Sequence, residues 1–498
     1  MLYNSNKEIN LKDETQENVL AIYLEDEQIN YIPDRESGYT LDLSKSSCNN
    51  GVEISFDYNT WSVKTNYSNY INTDNTRVKC SLYFTSTYIE PILNGTDPIL
   101  EDPLIPVTIS DDGVVRKADL ASEWYDYETR QWANAVILED ESKSYASNEV
   151  IPEENIESYF VWIPKYRYQL WDLGNYDSLT TIDTNKVHEI PVIFGDYNTS
   201  DSVSGECTTP MESGASGNCE VGDYMTHPAF LSIPSTGFWV GKFKISKNNG
   251  AFNIKPNQKI LIGLSLGQAF QYSYSYQREL DSHMLKNTEW GAITYLSHSK
   301  YGIQNVLSLN TDSESRCGYA SEKIEGSSWS ENAFPYNTKE GFLASTTGNI
   351  TGIYDLSGLT SEYVMAINYI RNYPDNSEYW ELYKIENEIP DFYSNLEYRK
   401  YYDEYFGTSS SSYNKRILGD ATGEMGPFGL KEYSDNPRYT SSWYESYSYF
   451  VYENDPFFVR GGSMLLVGRA ENYTILTSSM GGAAAHQSFR VVLTPTSN

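Results

Sequence analysis

The sequence lacks several features that would identify common classes of protein. It has no run of about 18 apolar residues, the length that a membrane-spanning helix needs, and Met1–Lys7 lacks the charged-then-apolar layout of a signal peptide. Lys and Arg number only 36 against 68 Asp and Glu, which gives a formal charge of −32. Because phosphate neutralisation requires clustered cations, we expect no nucleic-acid partner and no direct membrane insertion.

Histidine and cysteine are also scarce. The chain has five of each, the histidines are scattered, and no Cys-x-x-Cys occurs, so a structural zinc site is not expected. Two cysteine pairs close modest loops, Cys48 with Cys80 and Cys207 with Cys219, and both suit disulfides in an oxidising environment. Cys317 is then left unpaired. The alternative is that all of these thiols are reduced.

Aromatic residues are abundant. The chain carries 10 Trp, 18 Phe and 44 Tyr, which excludes a disordered chain of low hydrophobicity. Two interpretations of the tyrosines stay open. They form binding surfaces, since Tyr offers contact area at low entropy cost, or they reflect the preference of Tyr for strands.

Turn signals and hydrophobic runs divide the 498 residues into four parts. Residues 1–17 are an N-terminal segment, and residues 18–88 are predicted to form a small all-β, sandwich-like module. Residues 89–120 are rich in Asn-Gly, Asp-Pro and Asp-Gly turns, which indicates a connector. Residues 121–498 are predicted to form one larger body.

Individual elements are also predicted. In the small module, strands are expected at Val19–Leu24, Val52–Phe56 and Val78–Phe84, the last with apolar residues at every second position. In the larger body the best helix lies within 281–296, with Thr288 as its cap. The fold class is therefore mainly β with a few helices (α+β).

Five segments of the larger body occur in the order of a known family. They are Phe238–Ser246, Glu289–Leu296, Gly348–Gly358 with Glu362, Val459–Ser463 and Ser488–Val492. Together they resemble the formylglycine-generating-enzyme family, and Tyr159–Tyr168 and Thr288–Gly302 resemble its bacterial and prophage members more closely. The resemblance implies a C-type-lectin-like fold of that type, a group that includes the variable proteins of diversity-generating retroelements.

Within these motifs, five residues are expected to be structural anchors. They are Arg460, Gly461, Gly462, Phe489 and Arg490. The glycines permit a positive φ or a close backbone approach. The arginines are expected to donate forked hydrogen bonds to core carbonyls or carboxylates, with Asp355 and Glu362 as partners.

The chain lacks residues that the enzymes of this family use for catalysis. Those enzymes hold copper through a cysteine pair near the C terminus, whereas the last cysteine here is Cys317. The chain has no Walker loop and no His-Glu-x-x-His motif, and His486 is more typical of a loop contact than of a general base. We therefore expect no enzymatic activity, no catalytic residues, no metal site and no cofactor.

Calcium is the one cofactor left open. Some relatives bind it near the segment that reads Gly358–Tyr363 here, but the Asn and first Trp of the family pattern are missing. The oxygen-rich loop Asp196–Asp201 is an alternative calcium site, although its spacing is more typical of a solvated loop.

The segment between the two arginine anchors is the candidate ligand-binding region. It is small, apolar and almost free of charge, a composition typical of the centre of a binding patch. The predicted ligand-binding residues are Met464, Leu465, Leu466, Arg469, Glu471, Tyr473, Ile475, Thr477, Met480 and His486. The alternative is that Met464–Val467 and Tyr473–Leu476 are ordinary core strands.

These inferences predict a non-enzymatic ligand- or receptor-binding protein, displayed on a phage particle or a bacterial surface. It would recognise a host or neighbour surface protein or glycan through C-terminal, hypervariable loops, and a homotrimer is expected by analogy only. Two alternatives stay open: an enzyme like those of the formylglycine-generating family, and a purely structural virion or surface protein.

Overall fold

The computed structural model describes most of the chain between residues 19 and 495. The described residues are 19–24, 27–29, 39–41, 45–49, 51–57, 62–66, 79–86, 96–171, 189–195, 221–231, 235–248, 251–324, 328–368, 385, 388–406, 416–425, 440–452, 455–463, 472–478, 481–483 and 485–495. The chain divides into two compact units, Met1–Asn94 and Gly95–Asn498.

The first unit is all β in its described part, as predicted. Its strands are β1 (Val19–Leu24), β2 (Glu27–Ile29), β3 (Tyr39–Leu41), β4 (Ser47–Cys48), β5 (Glu53–Asp57), β6 (Ser62–Asn66) and β7 (Lys79–Ser86). Five of them form a sheet in the order β2-β1-β7-β3, with β4 also on β7, while β5 and β6 form a hairpin. The expected alternation is found on β7, where Cys80, Leu82 and Phe84 are buried.

A disulfide joins Cys48 and Cys80, directly opposite each other on β4 and β7, with a Cα–Cα distance of 4.1 Å. This prediction is confirmed. Cys317 is a free, buried thiol, also as expected. Cys207 and Cys219 lie outside the described residues.

The second unit contains two α-helices and 21 strands in its described part. The helices are α1 (Leu266–Tyr276) and α2 (Asn287–Ser297). The strands are β8 (Ile105–Ile109), β9 (Val115–Lys117), β10 (Asn134–Leu138), β11 (Ile156–Pro164), β12 (Tyr166–Gln169), β13 (Val192–Phe194), β14 (Tyr224–Thr226), β15 (Gly237–Gly241), β16 (Ser246–Asn248), β17 (Ala251–Asn253), β18 (His283–Met284), β19 (Tyr319–Ile324), β20 (Ser328–Pro335), β21 (Ser361–Asn368), β22 (Asp403–Tyr405), β23 (Thr440–Ser441), β24 (Tyr447–Ser448), β25 (Phe457–Arg460), β26 (Ile475–Ser478), β27 (Gln487–Ser488) and β28 (Val491–Leu493). The prediction of a mainly β protein with few helices is confirmed.

Two seven-stranded sheets organise this unit. The first has the order β18-β28-β15-β11-β10-β8-β9, and the second has the order β22-β21-β25-β26-β24-β23 with β27 also on β21. A three-stranded sheet, β13-β12-β14, and the hairpins β16-β17 and β19-β20 complete the described strands. The C-terminal segment contributes to both large sheets, since β28 lies in the first and β25, β26 and β27 lie in the second.

The first large sheet corrects the predicted connector. Strands β8 and β9 lie inside the expected connector 89–120, yet β8 pairs with β10 in register Val107↔Asn134 and β9 pairs with β8. Val107, Ile109 and Val115 are buried. The Asp111–Gly113 turn is present as predicted. It joins strands β8 and β9 of the first large sheet and does not separate two domains.

Helix α2 confirms the position of the best predicted helix, since it starts at Asn287 within the expected 281–296 segment and ends one residue beyond it at Ser297. Every residue from Asn287 to Ser297 is buried. Gly291 is needed there, because a Cβ would lie 2.0 Å from the carbonyl oxygen of Gly419. Thr288 is not the cap; instead Asp403 accepts hydrogen bonds from the backbone N–H and the hydroxyl of Thr288 at the first turn.

Helix α1 was not predicted. Its N-cap is Ser265, whose Oγ accepts from the backbone N–H of Gln268 at 3.1 Å, while Gln268 Oε1 accepts from the N–H of Ser265. This capping box is visible in the sequence as Ser-x-x-Gln. Among the described residues, no helix is both long enough and apolar enough to cross a membrane.

Candidate ligand-binding site

The anchor Arg490 is fully buried directly before β28. Its guanidinium donates to both carboxylate oxygens of Glu362, from Nη2 to Oε1 at 2.8 Å and from Nε to Oε2 at 3.2 Å. It also donates to the backbone carbonyls of Gly241 at 2.7 Å and Tyr354 at 2.9 Å. The expected pairing of Arg490 with Glu362 is confirmed, and it joins three of the five motif segments.

Lys244 is a second buried cation beside Glu362. Its Nζ lies 3.6 Å from Glu362 Oε1 and donates to the carbonyl oxygens of Gly358 and Thr360. Burial lowers the pKa of Lys244, and the nearby carboxylate of Glu362 opposes that shift. A change at Glu362 would therefore leave two buried cations without their shared anion.

Asp355 does not form the expected pair with an anchor arginine. Its carboxylate accepts hydrogen bonds from Asn310 Nδ2 at 2.8 Å and from the backbone N–H of Gly318 at 3.0 Å. Burial raises the pKa of Asp355. The residue holds the 310–318 turn next to the Arg490 cluster, which is a structural role.

The anchor Arg460 uses a different set of partners. Its Nη1 donates to Asn287 Oδ1 at 2.9 Å and to the carbonyl of Asp420 at 3.2 Å, and its Nη2 donates to the carbonyl of Ala421 at 2.9 Å. Desolvation lowers the pKa of Arg460 to about 10, so the side chain stays charged at neutral pH. Its partners are carbonyls, one of the two kinds of acceptor expected, and the predicted carboxylates Asp355 and Glu362 are not among them.

The remaining anchors are also core residues. Phe489 is buried, and so are Gly461 and Gly462. Both glycines have a positive φ, +76° and +59°. A Cβ at Gly461 would lie 2.6 Å from the carbonyl oxygen of Leu356, so the expected close approach is found there.

The structure separates the predicted ligand-binding residues into three groups. Tyr473 and Ile475 are fully buried, so as core residues they cannot contact a ligand and the prediction is corrected for both. The alternative of a core strand holds only in part, because β26 begins at Ile475 and Tyr473 lies in the turn before it. Thr477 is half-buried and His486 is exposed. The last group lies outside the described residues and consists of Met464, Leu465, Leu466, Arg469, Glu471 and Met480.

Tyr473 belongs to an aromatic cluster that the sequence did not reveal. Its ring is stacked on Tyr444 at 5.3 Å and lies 5.8 Å from Trp443, and its hydroxyl contacts Nε2 of His298. Burial lowers the pKa of His298 to about 3, so this imidazole is neutral. In the sequence, the only sign of this cluster is the adjacent pair Trp443-Tyr444. Two adjacent aromatic residues do not indicate which distant residue they pack against.

One catalytic pattern in the sequence has a structural explanation. Gly263-Leu-Ser265-Leu-Gly267 has the spacing of a nucleophile elbow, but Ser265 caps α1 and donates to Glu388 Oε2 at 2.5 Å. The hydroxyl thus accepts a hydrogen bond from a backbone amide and donates one to a carboxylate. No histidine lies between the serine and the carboxylate, as a catalytic triad would require. This serine is a helix cap rather than part of a triad.

In the described part of the chain, no group of three or more His, Cys, Asp or Glu side chains is placed so that it could hold a metal ion. Cys317 is fully buried, its Sγ lies 3.5 Å from the carbonyl of Lys244, and burial raises its thiol pKa well above the usual value. A raised thiol pKa disfavours the thiolate that binds metals. The calcium alternative Asp196–Asp201 lies outside the described residues.

Comparisons with known proteins include a structural likeness. No protein-family profile matches the chain, and no curated protein sequence does. Among solved structures the chain is similar to "Major Tropism Determinant M1 Variant", with 10% sequence identity and a TM-score of 0.27, over 89% of this chain and 94% of the other. The C-type-lectin-like fold is what the resemblance of the five motif segments implies.

Proposed function

We propose that this chain is a non-enzymatic binding protein, displayed on a phage particle or a bacterial surface, that recognises a surface protein or glycan through the segment between Arg460 and Arg490. The observation that carries the proposal is the contrast within that segment. Its two arginine anchors are fully buried, whereas the chain between them reaches the surface before it returns to the core.

The buried ends supply a rigid frame. Arg460 and Arg490 together form hydrogen bonds with two side chains and four backbone carbonyls of distant segments. Strands β25 and β26 are paired in continuous register from Phe457↔Ser478 to Arg460↔Ile475. Binding residues on loops that a rigid scaffold positions are a common arrangement in recognition proteins.

The described residues of the exposed part differ in charge from the rest of the chain. Gly482, Ala483, Ala485 and His486 are exposed, and Thr477 lies half-buried on β26. None of these side chains is acidic, in a chain whose formal charge is −32. Acidic residues are depleted at the centres of protein interfaces, so this region suits a partner better than the acidic remainder.

A cell-binding experiment tests the proposal. Fluorescently labelled protein is incubated with a panel of bacterial strains, and binding is measured by flow cytometry. We expect saturable binding to at least one strain and its loss in the double variant Thr477→Arg/His486→Glu, because both substitutions place bulk and charge on the proposed contact surface.

The matched control is Tyr272→Arg, which places similar bulk and charge on an exposed residue of α1. It should bind as the unchanged protein does, and circular dichroism should show that both variants are folded. Binding of the double variant at the level of the control would contradict the proposed site, and saturable binding to no strain would contradict cell-surface recognition.

A further inference from the structure

We propose that Tyr363 is a positioning residue for the proposed contact surface. Its hydroxyl, together with the first turn of α1, holds an exposed stretch of the chain in the conformation that meets the partner. The proposal rests on the proposed function, and it adds residues outside the segment between Arg460 and Arg490. The exposed stretch consists of Gly482, Ala483, Ala485 and His486.

Tyr363 reaches the exposed stretch from the core. The residue lies on β21 opposite Val459 of β25, and it is buried. Its hydroxyl donates to the carbonyl oxygen of Gly482 at 2.9 Å. Burial raises the pKa of Tyr363, so the hydroxyl keeps its proton and remains a donor at neutral pH. A side chain fixed in the second large sheet thus holds a backbone carbonyl at the surface.

Two backbone hydrogen bonds hold the chain on either side of this contact. The N–H of Leu266, the first residue of α1, donates to the carbonyl of Gly481 at 2.7 Å. The N–H of Ser361 donates to the carbonyl of His486 at 3.1 Å. The first N–H groups of a helix have no partner within the helix, so Gly481 satisfies one donor of α1. Of these three bonds, only the one from Tyr363 comes from a side chain.

Gly481 is the point at which the chain leaves the core. It is buried with φ +52°, and a Cβ there would lie 3.1 Å from Cε2 of Phe457 and 3.3 Å from Cβ of Leu266. The next residue, Gly482, is exposed. The close contact with β25 and α1 therefore fixes where the exposed stretch begins.

The small side chains of the exposed stretch make these bonds important. Gly482, Ala483 and Ala485 offer few atoms for packing, and glycine has more backbone freedom than any other residue. Hydrogen bonds to the backbone therefore set how much of the time the stretch keeps one conformation. The apparent affinity for a partner falls with the fraction of molecules in the binding conformation, so the loss of one such bond weakens binding.

Tyr363→Phe tests the proposal, because it removes the hydroxyl and keeps the ring in the core. Labelled protein is titrated on the bacterial strain that it binds, and the Kd is measured by flow cytometry. We expect binding to weaken about three- to tenfold, since a single hydrogen bond changes an equilibrium by about that factor.

Hydrogen exchange gives a second readout, which needs no partner. Peptides that contain Leu266 and Ser361 are followed by mass spectrometry, because the N–H groups of these two residues donate to the carbonyls of Gly481 and His486. In Tyr363→Phe both amides should exchange about three- to tenfold faster, because the stretch that carries their acceptors opens more often.

The matched control is Tyr127→Phe. It removes another buried hydroxyl that donates to a backbone carbonyl, that of Trp162 on β11 at 2.7 Å. The two variants should lose similar free energies of unfolding. Only Tyr363→Phe should change cell binding and the exchange of the Leu266 and Ser361 amides, which a merely structural role would leave equal in the two variants.

Leu266→Pro keeps the test valid if Tyr363→Phe fails to fold. Proline is favoured at the first position of a helix and lacks the N–H that donates to Gly481. Ser265 before it is already extended, with φ −74° and ψ 166°, as a residue before proline should be. This variant should also speed exchange at Ser361 and weaken cell binding.

Unchanged exchange of both amides in Tyr363→Phe would overturn the proposal, and so would equal cell binding by Tyr363→Phe and Tyr127→Phe. If Thr477→Arg/His486→Glu loses cell binding while Tyr363→Phe retains it, the positioning role fails and the proposed function stands. If that double variant keeps its binding although Tyr363→Phe speeds exchange, the proposed contact surface fails and the positioning role fails with it.

Discussion

The segment between Arg460 and Arg490, called here the anchor segment, contains two described stretches that differ in their environment. Asn472, Tyr473, Thr474 and Ile475 are all buried, and Trp290 Nε1 donates to the carbonyl of Asn472 at 3.0 Å. Around Gly482–His486, by contrast, most side chains are exposed. The chain between the two arginine anchors thus contains both a buried stretch and an exposed one.

This difference shows what low charge in a sequence does and does not indicate. Residues 472–475 are uncharged and buried, with Asn472 bonded to Trp290 and Tyr473 packed on Trp443 and Tyr444. Gly482, Ala483, Ala485 and His486 carry no acidic group although they face solvent. Burial explains why residues 472–475 carry no charge. It does not explain the lack of acidic groups at the exposed residues Gly482, Ala483, Ala485 and His486. The exposed end is therefore the better candidate for binding.

The largest expected effect is on the anchor side. Arg490→Ala would leave Glu362 buried with only Lys244 as a cation, so we expect a loss of about 3–5 kcal/mol in the free energy of unfolding. Urea denaturation measures it. Arg278→Ala is the matched control, because its side chain is 38% exposed and its ion pair with Asp281 is worth less than about 1 kcal/mol. Equal losses in the two variants would contradict the assignment of Arg490 as an anchor.

The next effect separates the two ends of the segment. Tyr473→Ala removes a fully buried ring packed on Trp443 and Tyr444, and such truncations lose about 3–5 kcal/mol. If Tyr473 were a surface contact, as the sequence alone predicted, the loss would stay near about 0.5 kcal/mol. Thermal and urea unfolding of this variant decide between the two.

A smaller effect depends on pH. Burial, opposed by Arg416, raises the pKa of Glu424 to about 7, whereas an unfolded glutamate ionises near about 4.3. Between these values the unfolded chain releases a proton that the folded chain keeps, so the free energy of unfolding falls as the pH rises. Glu424 lies in the same short stretch as Asp420 and Ala421, whose carbonyls accept hydrogen bonds from the anchor Arg460. The pH dependence of the free energy of unfolding is therefore expected to report on the buried surroundings of Arg460.

In Glu424→Gln, the free energy of unfolding should fall by roughly 1–3 kcal/mol less than in the unchanged protein between about pH 4.5 and about pH 7. Urea titrations at several pH values measure the slope in both proteins. Asp403, with a pKa raised to about 6 by burial, should leave part of the slope in place. An unchanged slope in the variant would show that Glu424 titrates normally in the folded state.

The smallest effect is expected at the exposed end. Thr477→Ala/His486→Ala should change the free energy of unfolding by less than about 0.5 kcal/mol, because surface substitutions seldom exceed that value. The same urea titration applies. A loss comparable with that of Tyr473→Ala would make the whole segment core and remove the proposed contact surface.

Several features were predictable because they depend on short-range patterns. Strand β1 has the predicted bounds, the Cys48–Cys80 disulfide closes the modest loop that the sequence indicated, and Arg490 pairs with Glu362 as the motifs indicated. Other features depend on distant segments. Arg460 is bonded to the 420–421 carbonyls, and backbone acceptors leave no signature in the side-chain sequence.

Tyr473 shows a different limit. An aromatic in a short apolar run suits a core strand and a binding patch equally well, and only its contacts with Trp443 and His298 decide. Helix α1 is different again, since its capping box, Ser265 with Gln268, is a short-range pattern that the sequence does contain.

Site-specific photocrosslinking tests the central claim most directly. A photoreactive phenylalanine derivative is placed at His486 or, as control, at Tyr272, and each protein is irradiated on the bacterial strain that it binds. The account predicts a covalent adduct with a cell-surface molecule from position 486 and none from position 272. Equal adducts from both positions, or an adduct from position 272 alone, would contradict it.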